Sequence, residues 1–144
     1  MTPSIDKIIT LATAGNSMAD NFCQCWLHAA HACDDIVDSG ISRQDCVKVF
    51  SMINMLYTHP FYVEHSARLC LVVQLVLNQY ADSVEWEGSR VEWQKQWADT
   101  LRFAGNEMIC AVAFLCGGWD RMRSVSQLLR TRSWIDHHDE QNNI

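Results

Sequence analysis

Apolar residues recur every three or four positions along most of this chain, and no stretch alternates between apolar and polar residues as a half-buried strand does. Proline and glycine are scarce and fall between the periodic segments, where helices end. The pattern therefore predicts an all-α fold, an antiparallel bundle of about five to six helices.

Capping residues set the expected helix boundaries, because a Ser or Thr three residues before an acid marks a helix start. Pro3 suits the first turn of a short helix that stops by Gly15. The later helices are expected from Ser17 to Gly40, Ser42 to His59, Phe61 to Trp86, Val91 to Cys116, and Arg121 to Arg130. Residues 1–132 then form one helical domain, and residues 133–144 form a polar C-terminal tail.

Charge and composition exclude several classes of protein. Seventeen acidic and eleven basic residues give a net charge of -6 without a basic cluster, which disfavours direct nucleic-acid binding. The stretch from Leu69 to Leu77 is apolar nearly all round, which predicts a central helix, but it is shorter than the ~20 residues that a membrane helix needs. Seven cysteines without a CxxC pair, and no secretory signal, predict reduced thiols in a cytoplasmic protein.

An acidic face is expected on the second helix, where ligand-capable residues occur at i, i+3, i+4 and i+7. These residues are His31, Asp34, Asp35 and Asp38. Carboxylates on one stripe repel each other, and Mg²⁺ or Mn²⁺ offsets that repulsion with its preference for oxygen ligands. We therefore expect a metal site here, with His31 or a carboxylate as the group that activates water. The alternative interpretation is a solvated acidic face.

A second polar stripe follows the fourth predicted helix: Gln74, Asn78, Asp82 and Glu85. These side chains either line the opposite wall of a cavity that they share with the acidic face, or they form a polar seam between helices that reaches solvent at Asp82.

The remaining candidates lie on the fifth helix and near the C-terminus. Glu107 either acts as a ligand or catalytic carboxylate, or pairs with Arg102 or Arg68. The two arginines are candidates for binding phosphate, and Asn106 is a candidate pocket residue. A further ligand-capable group comprises His137, His138, Asp139 and Glu140. Neighbouring helical residues diverge by about 100°, so the two histidines are not expected to bind one ion, and His138 is the candidate for the pocket.

Two acidic motifs carry a resemblance to a known family. Asp34-Asp35-Ile36-Val37-Asp38 is a complete DDxxD and resembles the first metal motif of the class I isoprenoid synthases. Residues 77–85 resemble NxxxDxxE, the second acidic motif of the squalene and phytoene synthase branch. The resemblance covers only these two helices. It implies a helical cavity in which magnesium ions hold a prenyl diphosphate between Asp34, Asp35 and Asp38 on one wall and Asn78, Asp82 and Glu85 on the other.

Two functions fit these features. The first is a magnesium-dependent enzyme that acts on a small molecule containing a diphosphate, prenyl or nucleotide, as a lyase, a transferase or a pyrophosphohydrolase. The second is a non-enzymatic helical protein that binds a host protein or sequesters a phosphorylated ligand. The whole chain looks like small helical proteins encoded by tailed phages, which implies the host cytoplasm. Acidic faces would steer a basic partner, tryptophans suit an interface, and a homo-oligomer fits both functions.

Overall fold

The structure, a computed structural model, describes residues 1–142, with side chains described as far as Asp139. These residues form helices and no strand, which confirms the predicted all-α bundle in one domain. The helices are α1 (Ile5–Thr13), α2 (Ser17–Ser39), α3 (Arg43–Thr58), α4 (Pro60–Trp86), α5 (Glu92–Leu101) and α6 (Asn106–Asn142). Within the described chain, none of them is long and apolar enough to cross a membrane.

Polar side chains begin α2 and α3. The Ser42 hydroxyl accepts a hydrogen bond from the Asp45 N–H at 3.2 Å, which confirms the predicted cap of α3. At α2 the cap is Asn16, whose Oδ1 accepts from the Ala19 N–H at 3.0 Å. The capping residue thus precedes the predicted Ser17 by one position.

The predicted helix over residues 91–116 is interrupted, so that prediction was wrong in its length. α5 ends at Leu101, and a four-residue turn precedes α6. In this turn the Gly105 carbonyl accepts the indole N–H of Trp26 at 2.9 Å. A Cβ at Gly105 would lie 3.7 Å from that indole nitrogen. A contact between distant parts of the sequence therefore holds the turn, and helical periodicity does not report it.

α6 reverses direction at Gly118, whose φ of 77° and ψ of -166° are not helical. Its first arm (residues 106–117) and second arm (residues 119–142) run antiparallel. The start of the first arm lies beside a late part of the second, where Asn106 Nδ2 donates to Ser133 Oγ at 2.8 Å. The predicted helix end at Gly117-Gly118 therefore coincides with this reversal. Residues 133–142, expected as a polar tail, are the last turns of the second arm.

The core is formed mainly by α1, α2, α4 and the two arms of α6. Its largest fully buried side chains include Ile8, Ile9, Phe22, Leu69, Met108, Ile109 and Leu129. α4 is not buried all round as predicted, because Leu71 and Leu75 are 61% and 52% exposed. α3 and α5 contribute least, each with one buried residue in the described chain, Leu56 and Ala98. The fold thus leaves apolar surface on α3 and α4 that the described chain does not cover.

Candidate functional site

A narrow acidic cleft lies where the C-terminal part of α2 meets α4 and α5. Its polar lining residues include Asp34, Asp38, Tyr80, Glu87, Asp99 and Arg102. The enclosed space is about 20 Å³, roughly the volume needed for one water molecule. The cleft joins two predicted ligands of α2 to one predicted phosphate-binding arginine, and it is too small in this conformation for a prenyl chain.

Tyr80 closes the cleft from the α4 side by donating its hydroxyl to Asp34 Oδ1 at 2.5 Å. Burial raises the pKa of Tyr80 well above its ordinary value, and the hydrogen bond to Asp34 and the charge of Asp38 raise it further. The phenol therefore stays protonated and remains a donor. Asp34 is the only carboxylate of the α2 stripe with a hydrogen bond of this kind, which fixes α2 against α4.

On the α5 side, Arg102 and His137 form a second polar contact. Arg102 Nη1 lies 3.1 Å from His137 Nδ1. A guanidinium only donates, so this geometry requires His137 Nδ1 to accept and assigns the ring proton to Nε2. That nitrogen lies 4.0 Å from Asp99 Oδ1. His137 is 8% exposed, and its ring meets Phe103 edge-on, with the centroids 5.8 Å apart.

The structure does not bring the second polar stripe to this cleft. Asn78 and Glu85 are exposed and Asp82 is half-buried, and none of the three lines the cleft. The face of α4 that meets α2 and α5 carries Tyr80 and Ser83, whose hydroxyl donates to the Ala98 carbonyl at 3.2 Å. Residues two positions apart on a helix point about 200° apart. Asn78 and Asp82 are each two positions from Tyr80, so the expectation of two facing acidic walls was wrong.

The acidic face of α2 is also divided. Asp34 is half-buried, whereas His31, Asp35 and Asp38 are exposed, and only Asp38 of these three reaches the cleft. In the part of the chain whose side chains are described, no three His, Cys, Asp or Glu side chains come together as a group that would hold a metal ion. Asp34 is hydrogen-bonded to Tyr80 and Asp35 does not line the cleft, so the three DDxxD carboxylates are not gathered at one point as the resemblance implies.

The other predicted residues have structural partners or face solvent. Glu107 pairs with Arg130 of the second arm at 3.2 Å, and not with Arg102 or Arg68 as expected, because the reversal of α6 brings the two arms together. Arg68 is exposed. Away from the cleft, the ring of His138 lies on Trp134 at 3.8 Å between centroids, and its Nδ1 donates to the Trp134 carbonyl at 2.9 Å. Glu140 lies outside the described side chains.

Sequence reasoning missed Tyr80, and it placed His137 in the C-terminal ligand-capable group without predicting its burial beside Arg102. Tyr80 stands inside the NxxxDxxE segment, two positions before its aspartate, and the helical angle between them is the signal that would have found it. His137 gave no such signal, because its burial depends on the second arm packing against the turn after α5.

Comparison with protein-family models, with curated proteins and with solved structures found no match to this chain.

Proposed function

We propose that this chain is a non-enzymatic helical binding module that holds a basic segment of a partner protein on the outer face of α4 and α5. The outer face is defined by Leu71, Leu75, Asn78, Asp82 and Glu85 of α4 together with Trp93 and Trp97 of α5. The α4 members follow one another at intervals of three or four residues and so form a single stripe. The stripe is apolar in its first half and acidic in its second.

The tryptophans are the observation that carries the proposal. Trp93 and Trp97 are 55% and 54% exposed, one helical turn apart on α5. Trp93 meets Trp86 at the end of α4 in an edge-to-face contact, with 5.6 Å between centroids. An indole is costly to leave in water, and tryptophan is enriched among the residues that dominate binding energy in protein interfaces.

The charge of the outer face selects the kind of partner. Asp82 and Glu85 lie one turn apart on α4, and the whole chain carries a net charge of -6. Carboxylates attract Lys and Arg by ion pairing, and exposed indoles attract them by cation–π contact with the ring. A helical segment with lysines or arginines along one edge and leucine-like residues along the other complements both halves of the stripe.

A designed peptide tests the proposal directly. The probe is an amphipathic helix built only from leucine and lysine, and isothermal titration calorimetry measures its binding to the full chain. We expect binding at low salt that weakens as salt is added, because exposed charges are screened. Asp82→Lys combined with Glu85→Lys is expected to weaken binding at least tenfold. The matched control, Asp35→Lys with Asp38→Lys, makes the same change of net charge on α2 and is expected to weaken it by less than threefold.

Two results would contradict the proposal. Equal loss in both charge-reversed pairs would mean that the peptide responds to net charge and not to the outer face. If the Trp97→Ala variant bound the peptide as tightly as the wild type in the same titration, the tryptophans would have no part in the interaction.

Seven cysteines, all free, suit the cytoplasm as the location of this module.

One observation favours the second candidate, a divalent-metal-dependent enzyme acting on a diphosphate. The cleft places Asp34, Asp38 and Arg102 together, so carboxylates and a guanidinium share one site. Its test is thermal unfolding with Mg²⁺ or Mn²⁺, with and without inorganic pyrophosphate. This function requires a rise in Tm that Asp38→Ala and Arg102→Met both abolish. An unchanged Tm in the wild type with all four combinations would eliminate it.

A further inference from the structure

The second arm of α6 carries two exposed tryptophans and two exposed arginines at a symmetrical spacing. Trp119 and Trp134 are 62% and 63% exposed. Arg123 follows the first tryptophan by four positions, and Arg130 precedes the second by four. At 100° per residue, these four side chains lie within about 60° of one another around the helix, and we call them the second-arm face.

Local contacts hold both arginines on the second-arm face. The guanidinium carbon of Arg123 lies 6.0 Å from the centre of the Trp119 ring, and its Nη1 donates to Ser126 Oγ at 3.2 Å. Arg130 Nη2 lies 3.2 Å from Glu107 Oε1 of the first arm, although the arginine side chain is still 64% exposed. A guanidinium has five N–H donors, and an exposed ion pair contributes little to stability. Both arginines can therefore bind a partner's carboxylate.

The segment that carries the second-arm face is basic, although the whole chain is acidic. Residues 119–134 contain four arginines and one acid, Asp120, which is a net charge of +3. The rest of the chain carries -9, since the total is -6. Arg121 is bonded to a carbonyl of α1 and Arg132 to Asp136, so the other two arginines are the ones that face a partner. Two arginines on an acidic chain attract a phosphate backbone weakly, which favours a partner with discrete carboxylates.

The spacing of the arginines selects a helix as the partner. Seven residues at 1.5 Å per residue place Arg123 and Arg130 about 10.5 Å apart along the helix axis. Carboxylates seven residues apart on a second helix have the same separation and share one face. On an extended segment, the side chains of one face recur about every 6.6 Å, so no pair of them matches that separation.

We infer that the second-arm face binds an acidic helical segment of a partner protein. Two carboxylates of that segment lie against Arg123 and Arg130, and an aliphatic side chain lies against each tryptophan. Arginine binds a carboxylate through paired N–H donors, and the indoles supply the apolar area at both ends. The intervals of four, seven and four residues are the same in both directions along the helix. The second-arm face shares no residue with the outer face, which takes a basic segment.

Fluorescence anisotropy with a designed peptide and the full chain tests this inference. The peptide is a fluorescein-labelled helix of alanine and glutamine that carries leucine, glutamate, glutamate and leucine at intervals of four, seven and four residues. We expect a dissociation constant on the order of 100 µM at low salt, which rises as salt is added. A second peptide has the same composition with its glutamates five residues apart, and so about 140° apart around the helix. It is expected to bind at least fivefold more weakly.

Reversing the charge of the arginines locates the binding. Arg123→Glu combined with Arg130→Glu is expected to weaken binding of the first peptide at least tenfold. The matched control is Arg43→Glu with Arg90→Glu, which makes the same change of net charge at two exposed arginines elsewhere. The control is expected to weaken binding by less than threefold.

Removing the tryptophans tests the apolar ends of the face without a change of charge. Trp119→Ala combined with Trp134→Ala is expected to weaken binding at least fivefold. Circular dichroism verifies that each variant folds, and the high exposure of both indoles makes loss of folding unexpected.

Several results would overturn the inference. These are no binding of the first peptide at 1 mM, equal binding of the two peptides, and equal loss in the two charge-reversed pairs. A fluorescein-labelled oligothymidylate is the third probe. If it bound more tightly than the peptide, and the tryptophan variant lost that binding, the face would take single-stranded nucleic acid instead. Binding of the leucine and lysine peptide to the outer face is measured separately, so neither result decides the other.

Discussion

α1 and α3 have similar apolar spacing in sequence, but the bundle buries the apolar face of α1 and leaves most of α3 exposed. Both are amphipathic, and α3 is the longer helix, with 16 residues against nine. Four residues of α1 are buried, including Ile8 and Ile9 at 0% exposure, whereas α3 buries only Leu56. Apolar spacing shows that a helix has a face to bury, but it does not show whether the same chain supplies the surface that buries it.

Polar contacts strengthen the same contrast. Arg121 of the second arm donates to the Leu11 carbonyl at the end of α1 at 2.5 Å, and Gln24 of α2 donates to Asp6 at 3.3 Å. The charged guanidinium also suits the negative end of the α1 dipole. α3 is attached near its C-terminal end, where His59 bonds to Asn21 of α2 at 2.9 Å and the ring of Tyr57 contacts that of Tyr62 on α4.

The largest expected difference is in the cost of truncating one apolar side chain. Ile9→Ala removes fully buried methyl groups next to α6 and is expected to lower the free energy of unfolding by about 3 kcal/mol. Phe50→Ala removes a mostly exposed ring and is expected to cost under about 0.5 kcal/mol. Urea denaturation measures both costs. Similar costs for the two variants would remove the contrast between α1 and α3.

Thiol labelling compares how easily the cysteines near α1 and on α3 become exposed to solvent. Burial, with a contribution from the charge of Asp20, raises the pKa of the Cys23 thiol to about 12, and Cys23 is fully enclosed beside α1. Cys46, on α3, is only half-buried. We expect Cys46 to react with a disulfide reagent on the order of a hundredfold faster, because detachment of α3 exposes it whereas Cys23 requires unfolding of the core. Peptide mass spectrometry follows each site, and exposed Cys70 is the fast reference. Equal rates at Cys23 and Cys46 would contradict separate opening.

A glycine tests how firmly α1 is docked. A Cβ at Gly117 would overlap the side chain of Arg121, which must then leave the Leu11 carbonyl. Gly117→Ala is expected to lower the free energy of unfolding by about 1 kcal/mol, since the lost hydrogen bond outweighs the gain in helix propensity. In an Arg121→Ala background the same change is expected to raise it by up to about 1 kcal/mol. Urea denaturation of the wild type and the three variants measures this reversal, and the same sign in both backgrounds would disprove it.

The smallest expected effect concerns pH at the junction of α3 and α4. His59 Nδ1 accepts from the Phe61 N–H at 3.2 Å, and Nε2 donates to Asn21 Oδ1 at 2.9 Å. Burial lowers the pKa of His59 below its ordinary 6.5. The unfolded chain therefore binds this proton more readily, so stability is full above 6.5 and falls as pH drops through 6.5 towards the lowered value. His59→Gln is expected to flatten the fall in Tm between about pH 7 and pH 5. Exposed His28→Gln is the control, and an unaltered slope in His59→Gln would refute the assignment.

Much of the fold was predictable because helix starts and stops depend on neighbouring residues. The Ser42 cap, the end of α2 at Ser39 and the reversal at Gly117-Gly118 all follow from short-range hydrogen bonding and glycine conformation. The break between α5 and α6 was missed because Trp26, far away in sequence, supplies its hydrogen bond. The burial of His137 was missed for the same reason.

The candidate site was likewise predictable within single helices and unpredictable between them. The acidic stripe of α2 and the polar stripe of α4 were both correctly located on helices, since each depends only on spacing within one helix. Whether they face one another depends on how α4 is rotated about its axis, and Tyr80 and Ser83 occupy the side that meets α2 and α5. With these two residues on that side, Asn78 and Glu85 are exposed, and Asn78, Asp82 and Glu85 do not line the cleft.

The sequence by itself determined that this protein is helical, where most of its helices begin and end, and which residues share a stripe. These properties follow from backbone hydrogen bonds and from a period of 3.6 residues, which act over a few positions. Only the tertiary structure decided which stripes meet, which cleft forms, and that α1 is enclosed while α3 stays open. Those outcomes depend on the rotation and docking of whole helices, which many weak contacts between distant residues set together.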